Sequence, residues 1–170
     1  MSANAITLRL AEVRDAHELS LMSRDYVESG LGWKYDASRL LRTIRNPEAV
    51  TLVACARDLL AGFAIMEFGD ERAHLVLLAV RPTHRRTGVG RRLVSWLIES
   101  ARTAGIQSVH LELRAGNEAA RRFYRAMEFA ETLLVPGYYR GKEPALRMLR
   151  MLRRPGIPAF SWNPPRTEDL

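Results

Sequence analysis

The sequence predicts an α/β (α+β) domain, with a mixed, mostly antiparallel central sheet of about seven strands and helices on both faces. Three observations predict it. Val50 to Ala56, Leu60 to Phe68 and His74 to Val80 are strand-like runs separated by short polar turns, which is the pattern of an antiparallel meander. At Gly88 the period becomes helical, with Val89, Leu93, Leu97 and Ala101 four apart. A second strand and helix come next, read from Val109, Leu111 and Leu113 and from Ala120, Phe123, Tyr124 and Met127.

The other elements can be taken in chain order. Thr7 to Leu10 alternates as a short strand, and a helix opens at Asp15 with Leu19, Met22 and Tyr26 on one face. Gly30 and Gly32 interrupt it. Asp36 caps a second helix that carries Leu40, Leu41 and Ile44, and Asn46-Pro47 ends that helix, since a residue before proline avoids helical backbone. Gly105 closes the helix that starts after Gly88, and Asn117 caps the next. Strands at Ala130 to Val135 and Ala145 to Leu152 flank a loop from Pro136 to Pro144. Residues 1–152 thus form one domain. Residues 153–170 hold four of the eight prolines and read as an extended tail, in which Phe160 and Trp162 are candidates to pin the chain to itself or to a second copy in a homodimer.

At 170 residues the chain is long enough to bury a core without disulfides. Its one cysteine, Cys55, lies in an apolar run and reads as a buried hydrophobe in a reducing compartment. Nothing in the first residues resembles a signal peptide and no apolar run is long enough to span a bilayer, so a cytoplasmic location without membrane partners is expected. The net charge of +7 is carried almost wholly by arginine, with Lys34 and Lys142 the only lysines. Such a chain suits anionic partners, although a solvated arginine-rich surface gives the same balance. The basic residues are scattered and no base-stacking aromatic signature is present, so nucleic acid is disfavoured as partner.

The most informative segment is Arg85-Arg86-Thr87-Gly88-Val89-Gly90-Arg91. It joins a strand to an amphipathic helix, whose first turn leaves N–H groups unpaired at the positive end of the helix dipole. Glycines let backbone approach a phosphate, and Arg85, Arg86, Arg91 and Arg92 add attraction. It lacks the Gly-Lys-Ser/Thr of a nucleotide-triphosphate loop and the three-glycine spacing of a dinucleotide fold.

Val80 to Leu93 resembles the acetyl-coenzyme A signature of the GCN5-related N-acetyltransferase (GNAT) superfamily, with Arg85, Gly88 and Gly90 at its fixed positions. Leu111 to Tyr124, containing Asn117-x-x-Ala120-x-x-x-Tyr124, is similar to that family's second half. Leu-Glu-Leu-Arg-Ala-x-Asn, the pair Tyr138-Tyr139 and the closing Ala145-Leu146-Arg147-Met148 are most similar to bacterial ribosomal-protein alanine N-acetyltransferases.

The resemblance implies the GNAT fold, acetyl-CoA as co-substrate, no metal, and direct attack of an amine on the thioester. Coenzyme contacts are expected from Leu78, Ala79 and Val80, where a strand bulge should offer an N–H to the acetyl carbonyl, and from Arg85, Arg86, Thr87, Gly88, Val89, Gly90, Arg91, Asn117 and Tyr124. Tyr124 is the candidate general acid and Glu112 the candidate base, with Glu67 a weaker alternative. Tyr138 and Tyr139 would bind the acceptor, a protein N-terminus such as a ribosomal protein's, or else a small amine. A basic RNA- or ribosome-binding module retaining the fold is the reading from another class. His17, His74, His84 and His110 form no close pair along the chain, so a metal site is not expected. Two departures concern the acceptor side and a turn: Leu77 stands where the ribosomal-protein enzymes tend to have Asn, and Glu128 where the family usually has Gly.

Overall fold

The computed structural model describes residues 5–153; the proline-rich segment with Phe160 and Trp162 lies outside the described residues. The strands are β1 (Ile6–Leu10), β2 (Ala49–Ala56), β3 (Leu59–Phe68), β4 (Arg72–Val80), β5 (Ser108–Arg114), β6 (Ala130–Tyr139) and β7 (Glu143–Met151), and the helices are α1 (Ala16–Tyr26), α2 (Ala37–Arg45), α3 (Val89–Thr103) and α4 (Glu118–Ala126). They form one seven-stranded sheet in the order β1-β2-β3-β4-β5-β7-β6. Every pairing is antiparallel except β4 with β5.

Two buried clusters cover the two faces. Leu19, Met22 and Leu40 from α1 and α2 pack on Val53, Phe63, Ile65, Leu77 and Ala79. On the other face Leu93, Leu97 and Ile98 of α3, with Tyr124 and Met127, pack on Ala64, Leu75, Leu111 and Met148. The alternation seen in the sequence is therefore the alternation between these clusters. The caps are as the sequence predicts: Asp36 accepts a hydrogen bond from Arg39 N at 2.8 Å and Asn117 from Ala120 N at 3.1 Å.

Two features of β4 shape the cleft beside it. First, Ile65 pairs with Leu77 but Met66 with Leu75, so Val76 is an extra residue, a bulge. The family resemblance places a bulge over Leu78 to Val80; it lies two residues earlier. Leu75 belongs to the α3 face whereas Val76 and Leu77 both face α1 and α2, so the phase of the strand flips there. Second, β4 pairs with β5 only from Arg72 to His74, after which the two strands part into a wedge.

The loop expected from Pro136 to Pro144 is shorter than the sequence suggests. β6 runs on through Tyr139, leaving Arg140–Lys142 as the turn. Proline is tolerated because β6 is an edge strand, and Gly137, at φ 64°, takes up a break in register between Val135 and Tyr139. Among the described residues no helix is long and apolar enough to cross a membrane.

Candidate active site

The wedge between β4 and β5 opens into a cleft of about 400 Å³, within the range of ligand pockets. Its floor is Leu75–Leu78 and Leu111–Arg114; the loop carrying Val27–Tyr35 borders one side and Tyr138, Tyr139 and Arg140 the other.

The cradle before α3 is not part of the cleft lining; it follows β4, whose Leu78 lines the cleft, and Arg85 lies over the ring of Tyr26, another lining residue, at 5.9 Å. Gly88 has φ 87°, a conformation that an L-residue adopts only with strain. Gly90 packs against α4: a Cβ there would touch the Phe123 ring at 3.4 Å. The N–H groups of Arg86, Thr87 and Gly88 find no acceptor among the described residues, and those of Val89, Gly90 and Arg91 belong to the first turn of α3, where none is available within the helix. Arg86 and Arg91 are exposed and unpaired among the described residues. Arg85 instead folds back, its Nε donating to the Val80 carbonyl at 3.2 Å. A fifteen-residue helix that opens on six donors unsatisfied among the described residues, beside free guanidinium groups, fits a pyrophosphate.

Next to the cradle, the sheet edge is available. Arg81 N donates to Ala61 O, so by the period of two Leu77 and Ala79 turn their backbone groups toward β3, while Leu78 and Val80 turn theirs to the edge that β5 has left. The bulge at Val76 sets this phase. Leu78 also lines the cleft, and Ala79 is buried below it.

Tyr124 reaches the same cleft from α4, packed edge-on against Phe123 and Phe129 at centroid distances of 5.0 and 5.6 Å. Burial pushes its phenol well above the usual tyrosine range. Its hydroxyl makes no hydrogen bond within the described residues, yet Thr51 Oγ1 is the only enclosed side-chain polar atom there without a partner, so the Tyr124 oxygen opens to the cleft. Asn117 lines the cleft and caps α4 as well.

Glu112 lies on the floor with its side chain only 7% exposed. His74 Nε2 is 2.7 Å from one carboxylate oxygen, and Arg147 Nε donates to the other at 3.0 Å. Burial would raise its pKa, but His74 and Arg147 more than offset this and hold the carboxyl below its ordinary value. Glu67 borders the cleft but is not drawn into this cluster.

The histidines correct one expectation. His74 and His110 have no close sequence neighbour among themselves, but the parallel β4–β5 pairing puts them side by side, with ring centroids 4.4 Å apart and planes 10° apart. Burial, then His74, lower the His110 pKa. With Glu112, the two rings bring ligand-type atoms within 4.8 Å of one another. Imidazole lone pairs lie in the ring plane, however, so stacked parallel rings do not aim at one point, and the Glu112 oxygen on their side is already hydrogen-bonded to His74 Nε2.

Tyr138 and Tyr139 stand edge-to-face at 4.9 Å. Burial, followed by neighbours that include Glu112, pushes the Tyr139 phenol up to about 12 and raises Tyr138 as well. Opposite them, loop 27–35 is folded around a buried carboxylate: Glu28 accepts from Ser23 Oγ, Lys34 N and Tyr35 N. Arg114 donates to the Ser29 carbonyl and ties this loop to β5. Sequence reasoning offers His74 and His110 as residues that could line the cleft or be structural, and His74 does line it; it does not single out Glu28, Arg114 or Arg147 as site residues. The polar alternation His110-Glu112-Arg114 is the available signal for Arg114, and the closing Ala145-Leu146-Arg147-Met148 for Arg147, whose partner Glu112 lies far along the chain; Glu28 gives none, although Ser23, Lys34 and Tyr35 are within seven residues of it.

Together the cradle, the wedge and the cleft define a coenzyme-binding transferase, and residues 15–129 match the Acetyltransferase (GNAT) family. The chain belongs to that family. It is 36% identical over 102 residues to the ribosomal protein bS18-alanine N-acetyltransferase of Salmonella typhimurium, covering 58% of this chain and 69% of that one. The enzyme of the same name from Escherichia coli is 36% identical over 92 residues, 52% of this chain and 62% of its own length. The crystal structure of the E. coli ribosomal-protein-S18-alanine N-acetyltransferase superposes with a TM-score of 0.79 at 24% identity over 92% of this chain and all of the other. Ard1 of Thermoplasma volcanium gives 0.77 at 26% identity over 88% of this chain and 99% of the other. The chain is thus an acyltransferase that N-acetylates an amine with acetyl-CoA.

Proposed function

We propose that the acceptor is the α-amine of a peptide or protein N-terminus. The observation that carries this reading is the paired wall: Tyr138 and Tyr139 on one side, loop 27–35 on the other, and Glu112 between them on the floor of an open-ended cleft. The hydroxyls suit a peptide backbone, and the gap is open enough for a chain to extend outward. The alanine N-acetyltransferases similar to this chain point the same way.

Acetyl-CoA supplies the thioester. The cradle at residues 86–91 holds its phosphates, and the edge of β4 at Leu78 and Val80 receives its amide-bearing arm. The Leu78 N–H is the donor placed for the oxyanion. The acceptor nitrogen attacks the thioester carbonyl carbon, the carbon–sulfur bond breaks, and Tyr124 gives its proton to the departing thiolate. Glu112, kept ionised, draws in the ammonium form of the acceptor and takes one proton from it, so that a neutral amine attacks; His74, hydrogen-bonded to Glu112, adjoins that proton. The second nitrogen proton, lost as the tetrahedral adduct collapses, restores the Tyr124 hydroxyl.

The test measures coenzyme A release with peptides bearing a free N-terminal Ala or Ser, the same peptides blocked at the N-terminus but containing Lys, and a set of small amines. Turnover confined to free N-termini is expected. Turnover with small amines alone would overturn the peptide reading while leaving the acetyltransferase intact.

A further inference from the structure

The charges around the cleft are sorted by depth. The carboxylates that line it are Glu28, Glu67 and Glu112. Glu28 is used up inside its loop by three donors, and Glu112 is on the floor. The rim is different. Lys34 and Arg39 stand on the loop and helix of one side and Arg140 on the hairpin turn of the other; all three line the cleft, all are exposed, and none has a carboxylate within 4.0 Å among the described residues. Arg39 lies over the Tyr35 ring at 4.5 Å, which fixes its position without neutralising it. The Arg140 guanidinium reaches across the mouth: its Cζ is 3.7 Å from where a Cβ on Gly32 would be. Lys142, also exposed, adds a fourth cation on that turn.

Resting on the N-terminal reading, we infer that the enzyme selects N-termini whose first residues after the acceptor amine carry acidic side chains. The floor attracts the ammonium through Glu112, and the rim then meets the second and third residues of the substrate, a short way outward. A basic residue there would be placed among Lys34, Arg39 and Arg140, with Glu67 the one cleft-lining carboxylate unpaired among the described residues to compensate. Like charges at an entrance reject a substrate as effectively as opposite charges attract one. Single exposed pairs are weak, but three cations converging on one short segment add to about a tenfold preference.

The experiment compares kcat/KM for peptides identical except at the second and third residues, Ala-Glu-Glu, Ala-Gln-Gln and Ala-Lys-Lys, at low and high salt. The expected order is acidic, neutral, basic, with at least tenfold between the ends. The difference should lie in KM rather than kcat and shrink as salt rises. In the doubly reversed variant Lys34→Glu, Arg140→Glu the order should invert. Equal rates for the three peptides in the unaltered enzyme, or a preference for Ala-Lys-Lys, would overturn the inference while leaving N-terminal acetylation standing. No turnover of any of the three, with small amines accepted, would instead remove the reading on which it rests.

Discussion

Replacing Tyr124 with Phe separates chemistry from architecture more cleanly than any other change in this site. The ring stays, so the edge-on contacts with Phe123 and Phe129 stay. Only the hydroxyl is lost, and it bonds to nothing among the described residues. Stability should therefore change by no more than about 0.5 kcal/mol, which a thermal melt would read as a shift of a degree or two. Turnover is another matter. A positioned proton donor is worth about a hundredfold or more, and a hundredfold corresponds to about 2.7 kcal/mol of barrier. The assay is steady-state coenzyme A release alongside direct measurement of acetyl-CoA binding. We expect kcat to fall about a hundredfold with coenzyme affinity unchanged. The pH profile adds a second check: because burial raises the Tyr124 phenol, it remains protonated through the ordinary tyrosine range, so unaltered enzyme should show no alkaline break from this group near pH 10. A Tyr124→Phe enzyme that keeps kcat within twofold would refute Tyr124 as proton donor.

Glu112→Gln should lower kcat by about a hundredfold and also destabilise by about 2 kcal/mol, since it removes a charged acceptor from both His74 and Arg147; chemical denaturation measures the second effect. Asp15 is held below its ordinary pKa chiefly by its hydrogen bonds to Arg9, at 2.7 and 3.0 Å. A lowered folded-state value means the stabilisation is present above the unfolded pKa and is lost as pH falls through the folded one. Asp15→Asn should therefore cost about 1–2 kcal/mol at pH 7, and the gap to the unaltered protein should close in strong acid, as followed by urea melts across pH. Glu128→Gly should stabilise by up to about 1 kcal/mol, because Glu128 sits at φ 67° and its pair with Arg150 is formed by a mostly exposed carboxylate worth little. A lower melting temperature for that variant would show that the ion pair outweighs the strain.

What can be read in the sequence is whatever depends on near neighbours. Helical spacing, the Asp36 and Asn117 caps, the meander and the glycine cradle are all local, and each stands where its residues predict. Glu128 is a useful case: it stands where the family usually has Gly, and it takes up the left-handed backbone, at φ 67°, that glycine adopts without strain. What cannot be read depends on which strands pair and in which register. The bulge is at Val76 and not at Leu78–Val80 because the register of β4 is set by Met66 and Ile65 across the sheet, and no residue in β4 announces it. His74 and His110 become neighbours only through the one parallel pairing in the sheet, which ends there. The same termination opens the wedge. The stacked histidines, the ionised Glu112 and the free edge of β4 thus have a single origin: β4 and β5 part immediately beyond His74. The floor carboxylate is fixed by this divergence, while the rim cations belong to a loop, the first turn of α2 and a hairpin turn, outside the two diverging strands. Acceptor preference can consequently change in this fold through Lys34, Arg39 and Arg140 while the acetyl-transfer chemistry stays in place.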